Sequence, residues 1–582
     1  YELRKGRKYP YQKFIMAETP ISFAGYVRNW KGNSEQTQPE MVFLPEFATT
    51  LPNSNFKFAK KRMANWGRRD PQGAMEEIDV EMNVIRDFAR RVLLSEETFQ
   101  EEGNTFVNMF SGEWSGTSKL NKYDLSSMYF NYAGSIYSQN FPIIDIVMNT
   151  MLKQEESDQG RHFFRMFNGM GDDQRAASYL NGKSFEQAVL DNTLSTEVFY
   201  EMMKLKGVYL RNYINSRLSS NEFKEFMAEF TKRYQFQEVN FTRLNSEFIR
   251  KFHFNLMDFI PNWYTINSTP RFIVKGVDAD QVEVGDYTKY IVKFQVYNPT
   301  NVEGVISVNV EEGGGMFPGG PRGRRGRAAQ MEAKPAKNYI IEPQKYKEIR
   351  ILCDERPSNL TINTNISQNL PSTIMQNFAK VTTTTTDTVT GIFDSNATLF
   401  TFNPKEITVD NEDPGFRIIE SNQKNKLQSF FKKESEDKYK NLNFWMPPSR
   451  WTATIGVNYY GDYINSAVYK KSGSGSNKTE WTTQIQIPGF YEVFVYTSEL
   501  PMMGWRHRGG EEKKIQYYTV KHDDGEEEIS VETGRGRQGW RTLGSFYFSK
   551  GEAKITLSDK GSESNQIIFA DAVKWVYTNN NK

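Results

Sequence analysis

The order of apolar and polar positions changes character along this chain. Up to about residue 50 the apolar residues come in short, β-rich runs broken by Pro and Gly, as in "KFIMAETPISFAGYV" and "EMVFLPEF", and these read as strands. From about residue 74 to 264 the period is helical. Ile78, Met82, Ile85, Ala89 and Val92 fall on one face, as do Phe223, Phe226, Met227, Phe230 and Tyr234, at the spacing of an amphipathic helix. "SSNE", Ser219 to Glu222, has the form of a capping box ahead of the second of these helices. Beyond Trp263 the pattern alternates and becomes β-branched in "RFIVKGV", "KYIVKFQVY", "GVISVNV" and "EIRILC", as one-face-buried antiparallel strands require. From Pro404 on, aromatic strands such as "EWTTQIQIPGFYEVFVYT" and "QIIFADAVKWVY" recur with Gly, Ser and Asp turns between them.

The expected fold class is therefore multidomain α+β. A helical domain with a β edge occupies 1–265, and a β-sandwich occupies 266–400. A last, jelly-roll-like β-sandwich occupies 401–582 and carries a charged helical insertion at 421–442. The Gly/Pro/Arg-rich stretch 313–337 cannot build a core and reads as a mobile loop, with Arg322, Arg324, Arg325 and Arg327 solvated or gripping an acidic partner.

Composition narrows the function classes. Lys plus Arg number 73 and Asp plus Glu 71, so no global field directs the chain to nucleic acid, and no nucleic-acid partner is expected. A single cysteine, Cys353, excludes an internal disulfide framework. No apolar run is long enough for a transmembrane span. The start "YELRKGRKYP" is neither an initiator Met nor a signal peptide, and a longer or processed polypeptide is expected.

Candidate chemistry is sparse. The four histidines, His162, His253, His507 and His522, include no H-E-x-x-H pair on one helical turn, so no catalytic zinc site can be written from them. His253 reads as a packed or capping residue and His507 as surface. "SGSGS" from Ser472 lacks the strand-to-helix turn of a nucleophile elbow and reads as a flexible hairpin loop. "VDNEDPGF", Val409 to Phe416, places Asp410, Glu412 and Asp413 within four residues; the alternatives are a calcium site and an Asx/Pro-Gly turn opening the last domain. Aromatic ligand-binding candidates are Trp505, Tyr459 and Tyr460, with Trp505 expected to be exposed and Trp451 and Trp540 weighted toward core packing.

Two resemblances emerge from these motifs. The stretch running from "FYEMMKLKGVYLRNYINSRLSSNEFKEF" through "NWYTINSTPRF" resembles the later half of the catalytic domain of the aminopeptidase N family of zinc metallopeptidases. Lys206-Gly207 and Trp263 fit that family's Lys-Gly pair and closing Trp. The resemblance puts "QPEMVFLPE" where the family holds its substrate's amino end, making Glu40 a cleft remnant, and puts Tyr200 at the transition-state Tyr position. The helix Ile78 to Val92 carries no His, so the resemblance implies a pseudopeptidase with no catalytic residue and no cofactor. The second resemblance, over Pro404 to Tyr577, is to the golvesin C-terminal-like, or xanthan-lyase carbohydrate-binding-like, domain through "TVDNEDPGF", "GWRTLGSFYFSKGEAKITLSD" and "IIFADAVKWV". It implies an extracytoplasmic protein of a Bacteroidetes-type bacterium with envelope proteins, and possible glycan, as partners. The expected function is a non-catalytic surface scaffold or binding protein. The alternatives are an active peptidase or polysaccharide-active enzyme, and an accessory domain of a transporter or outer-membrane complex.

Overall fold

The computed structural model describes residues 13, 15–19, 37–38, 41–45, 81, 136–142, 144, 147, 171–234, 239–285, 287–312, 336–378, 381, 383–420, 438–443, 446–498, 514–534, 537–563 and 565–578. Glu40, Trp505, His162, His507, stretch 313–335 and most of the predicted 421–442 insertion lie outside them, as does the predicted helix from Ile78 to Val92 apart from Glu81.

The α-helices bounded among the described residues are α1 (Asp172–Tyr179), α2 (Phe185–Leu190), α3 (Thr196–Asn215), α4 (Ser220–Arg233), α5 (Phe241–Phe252) and α6 (Ile260–Thr265). The chain forms two compact units, one of Tyr1–Gln159 with Asn221–Asp258, the other of Gly160–Ser220 with Phe259–Lys582. The first holds a small sheet in which β1 (Ile15–Thr19) runs parallel to β3 (Met41–Pro45) and β2 (Thr37–Gln38) antiparallel to it, and a parallel pair of β4 (Ile136–Tyr137) and β5 (Val239–Asn240). Phe223, Phe226, Met227 and Phe230 of α4 bury the face their spacing predicts, and Phe226 meets the fully buried Phe248 of α5 edge-on at 5.3 Å. Asn240 caps the start of α5 by accepting from the Thr242 N–H. His253 closes it in the left-handed conformation, donating its N–H to the Ile249 carbonyl, which is a C-cap and not a ligand position.

The second unit begins with α1, α2 and α3. Lys206 of α3 is 3% exposed; its ammonium donates to the Trp263 carbonyl at 2.5 Å and lies 5.2 Å from that residue's ring. The first sandwich of this unit has one sheet in the order β13 (Thr384–Thr385), β6 (Ile273–Val284), β7 (Tyr287–Tyr297), β10 (Tyr346–Cys353), β14 (Gly391–Asp394). The other has the order β12 (Thr373–Asn377), β11 (Pro357–Asn363), β8 (Gly304–Glu312), β9 (Lys337–Ile341). Alternate residues of both meet in one core: Val292, Phe294 and Val296 from the first, Ile306, Val308, Leu360 and Ile362 from the second.

The last domain is also a sandwich. One sheet runs β15 (Glu406–Val409), β26 (Val573–Thr578), β20 (Gly489–Thr497), β23 (Gly539–Phe548). The other runs β16 (Phe416–Ile419), β19 (Lys478–Ile485), β24 (Gly551–Gly561), β21 (Lys514–His522), β22 (Gly525–Thr533). Trp481, Tyr491, Tyr518 and Trp575, all fully buried, fill the space between them. A third small sheet, β17 (Thr452–Ile455), β18 (Ser466–Lys471), β25 (Ile567–Ala570), completes the domain. The two sandwiches are joined by main chain: the Leu370 N–H donates to the Tyr463 carbonyl at 2.9 Å, and the Asn465 N–H to the Leu370 carbonyl at 2.7 Å. Arg271 stacks over the Tyr463 ring beside this junction at 4.0 Å.

The Ser472–Ser476 connection departs from its sequence reading. Its glycines suggest freedom, yet the buried Asp559 accepts from the Gly475 N–H and the Asn477 amide and pairs with Lys470. A side chain at Gly473 would collide with that carboxylate, its Cβ falling 2.4 Å from Oδ2. The loop is therefore fixed around a buried ion pair.

Burial without a countercharge holds Lys206 down to about 7. Between about 7 and its ordinary value the unfolded chain binds this proton and the folded chain does not, so stability rises with pH across that window and is least below it. Lys206→Met is expected to shift the urea midpoint upward relative to the native chain more at pH 6 than at pH 10, because only the native chain carries the buried charge at the lower pH.

Candidate functional site

The candidate site of the last domain lies where three sequence-distant segments meet. Asp571, in the turn between β25 and β26, is 1% exposed. Its carboxylate accepts from the Tyr460 N–H at 3.2 and 3.3 Å and from the Ser498 hydroxyl at 2.9 Å. Its main-chain carbonyl accepts from the Trp481 indole at 3.0 Å, and the neighbouring Ala572 carbonyl accepts from the Tyr496 N–H at 2.8 Å. One turn thus orients the loop carrying Tyr460 and the end of β20.

Asp410 opens the domain as a turn. Its N–H donates to Asp413 Oδ2 at 2.8 Å, the Asp413 N–H donates back to the Asp410 carbonyl at 3.1 Å, and the Phe416 N–H continues to the Asp413 carbonyl. This is the Asx/Pro-Gly arrangement read from the sequence. Glu412 points elsewhere, accepting from Ser466 and Tyr439 and pairing with Lys438. Among the described residues no three His, Cys, Asp or Glu side chains are placed to hold a metal ion. Burial, then the Asp571 carboxylate, pushes Asp410 up to about 9, while burial raises Asp571 well above the usual carboxylate range.

Tyr459 and Tyr460, adjacent in sequence, have opposite fates. Tyr459 is buried against Phe569, in a small core with Leu442, Ala467, Tyr469 and Ile567, and has no face open to a ligand. Tyr460 is half-buried and turned outward. Its ring meets Trp540 at 5.1 Å and Tyr496 at 5.7 Å, and those two meet at 5.4 Å. The three form a cluster on the outer face of the four-stranded sheet. Tyr496 and Trp540 are register partners on β20 and β23, so they point the same way. Trp540, weighted toward the core from its place in a strand, falls on the outward parity. Lys574 of β26 lies 4.8 Å over the Trp540 ring and 5.5 Å from that of Phe494, and pairs with Glu406 at 3.2 Å. Further along the same strands Phe490 and Tyr547 meet edge-on at 5.3 Å, Tyr547 being 37% exposed.

Tyr200 of α3 is half-buried, with the Lys204 ammonium 4.2 Å over its ring and Glu201 bound to that lysine. Outward-facing Tyr496, Phe494 and Lys574 were not singled out by sequence; strand parity through the buried Tyr491, Val493 and Val495 would have found the first two.

Residues 440–577 match the family described as the Golvesin C-terminal domain. Tyr460, Tyr496, Ser498, Trp540, Asp571 and Lys574 lie inside the match, and Asp410 precedes it. Of solved structures, the xanthan lyase of Paenibacillus is 14% identical with a TM-score of 0.21, covering 53% of this chain and 26% of its own, so that this chain spans about a quarter of that enzyme. A two-domain protein of unknown function from Bacteroides fragilis is 9% identical with a TM-score of 0.14, covering 53% of this chain and 94% of its own. No curated protein matches the chain.

The sign of the pH effect at Asp410 is opposite to that at Lys206. Its folded proton affinity is raised, so its contribution is full below the ordinary carboxylate value and is lost as pH climbs toward about 9. Asp410→Asn, which keeps the acceptor for the Asn411 N–H, is expected to raise the urea midpoint over the native chain, and by more at pH 9 than at pH 5.

Proposed function

We propose that the protein is a non-catalytic scaffold and binding protein of the cell envelope, and that its golvesin C-terminal domain holds glycan on the outer face of the β15–β26–β20–β23 sheet. The observation that carries this reading is the outward cluster of Tyr460, Tyr496 and Trp540, extended by Phe494 and Lys574. Aromatic rings offer sugar C–H faces broad apolar contact while losing little rotamer freedom, and neighbouring hydroxyls and charges fix orientation. Tyr460, Tyr496 and Trp540 pack ring against ring, and the Tyr460 and Tyr496 main-chain N–H groups are fixed on Asp571 and Ala572, so the rings are held in place before any ligand arrives.

The rest of the chain serves in this reading as a peptidase-like body that has lost zinc chemistry, because the whole sequence contains no H-E-x-x-H pair. An extracytoplasmic location in a Bacteroidetes-type envelope, with other envelope proteins as partners, accords with a surface glycan ligand. No helix among the described residues is long and apolar enough to cross a membrane.

Affinity electrophoresis through gels carrying soluble polysaccharides is expected to show retardation of the full chain by at least one of them. Trp540→Ala should weaken that retardation about tenfold with the unfolding midpoint moved little, since the ring lies on the outer face. No retardation by any polysaccharide, or equal retardation of the variant, would remove the glycan reading. Stoichiometric zinc with aminopeptidase turnover in the purified chain would remove the non-catalytic one.

A further inference from the structure

Glu247, on α5 and 7% exposed, is surrounded by three arginines in the first unit. Arg233 donates to Glu247 Oε2 at 2.6 Å, and the Tyr234 hydroxyl occupies Oε1. Each carboxylate oxygen thereby accepts one hydrogen bond. Arg243 and Arg250 nonetheless stand 3.6 Å from it, within ion-pair range but not hydrogen-bonded to it, with side chains 64% and 72% exposed. Arg243 spends its Nε on the Tyr234 hydroxyl at 2.9 Å. Among the described residues one carboxylate stands against three guanidiniums, a local excess of positive charge, with the Arg243 and Arg250 side chains mostly exposed.

Ordinary helix electrostatics explains only part of this. Arg250 and Lys251 sit in the last turn of α5, where the dipole favours cations, and Lys251 pairs with Glu229. Arg243 sits in the first turn, where the dipole disfavours a cation, and Arg233 comes from the end of α4. Arg233 is the arginine hydrogen-bonded to the buried carboxylate, and Arg243 and Arg250, mostly exposed and 3.6 Å away, add less to it because solvent screens them. The convergence of the three prepares a fork for an oxyanion. A tetrahedral dianion offers three or four oxygens to guanidinium pairs, which a single carboxylate cannot match.

We propose that Arg233, Arg243 and Arg250 form a binding site for a phosphate- or sulfate-type oxyanion, with Glu247 and Tyr234 setting the positions of the arginines. The site is independent of the aromatic face of the last domain. Its oxyanion comes either free in solution or as the headgroup of an anionic lipid.

The test is titration calorimetry of the full chain with inorganic phosphate and with sulfate, at ionic strength matched by sodium chloride, alongside Arg243→Gln and Arg250→Gln. Each substitution keeps the Arg233–Glu247–Tyr234 contacts. Saturable binding is expected, weakened about tenfold by each substitution, with far-UV circular dichroism unchanged. Flotation with vesicles of phosphatidylglycerol in phosphatidylcholine separates the sources. Flotation that both substitutions abolish assigns the site to a lipid headgroup, and phosphate binding without flotation assigns it to a free oxyanion. Absence of both, or binding unchanged in both variants, overturns the proposal.

Discussion

The last domain is organised by one buried carboxyl group. Asp571 lies buried in the turn between two apolar strands, where an unpartnered carboxyl would be costly, so the chain must bring donors to it. It does so from two places: the main chain at Tyr460 and the hydroxyl at Ser498. The adjoining carbonyls draw in Trp481 and Tyr496. Segments far apart in sequence thus acquire one permitted arrangement. The half-buried aromatic cluster on the outer face is a by-product of that requirement, because Tyr460 and Tyr496 are held by the main-chain bonds that satisfy this turn. A polar group in a core contributes to uniqueness when all its partners are supplied, and here the unique arrangement adjoins the cluster of Tyr460, Tyr496 and Trp540.

Much of the architecture was legible in the sequence, for a simple reason. A strand with one buried face must alternate, and an amphipathic helix must repeat near every fourth residue, so β7 and α4 declare themselves through Val292, Phe294 and Val296 and through Phe223, Phe226 and Phe230. What could not be read was the side of the sheet on which a given aromatic falls once a turn or bulge intervenes. Tyr459 and Tyr460 are chemically identical neighbours, and only the loop geometry sends one into the core and the other outward. Trp540 is similar: its place within a strand suggested packing, whereas its register opposite Tyr496 decides the outcome. The glycines of Ser472–Ser476 misled in another way. Gly473 is needed for close approach to Asp559 and Gly475 for a positive φ, and a distant carboxylate leaves no trace in the local pattern.

The near balance of acidic and basic residues conceals local asymmetry. Around Glu247 the chain concentrates positive charge, while Glu526, Glu527 and Glu528 line the exposed strand β22 with negative charge. Charge along an edge strand of this kind opposes pairing with another chain. Global neutrality therefore says little about how any one face meets its surroundings.

The junction at Leu370 has a mechanical consequence. Its two main-chain bonds to Tyr463 and Asn465 place a short piece of one sandwich alongside a loop of the other in the manner of a parallel strand pair. A load drawn along that direction would act on both bonds at once, in shear, and not peel them one after the other. Since the same loop carries Tyr460, a tug applied to anything held on the aromatic face would pass into the neighbouring sandwich through this seam as well as through the covalent linker. The two domains would then share tension as a single strut.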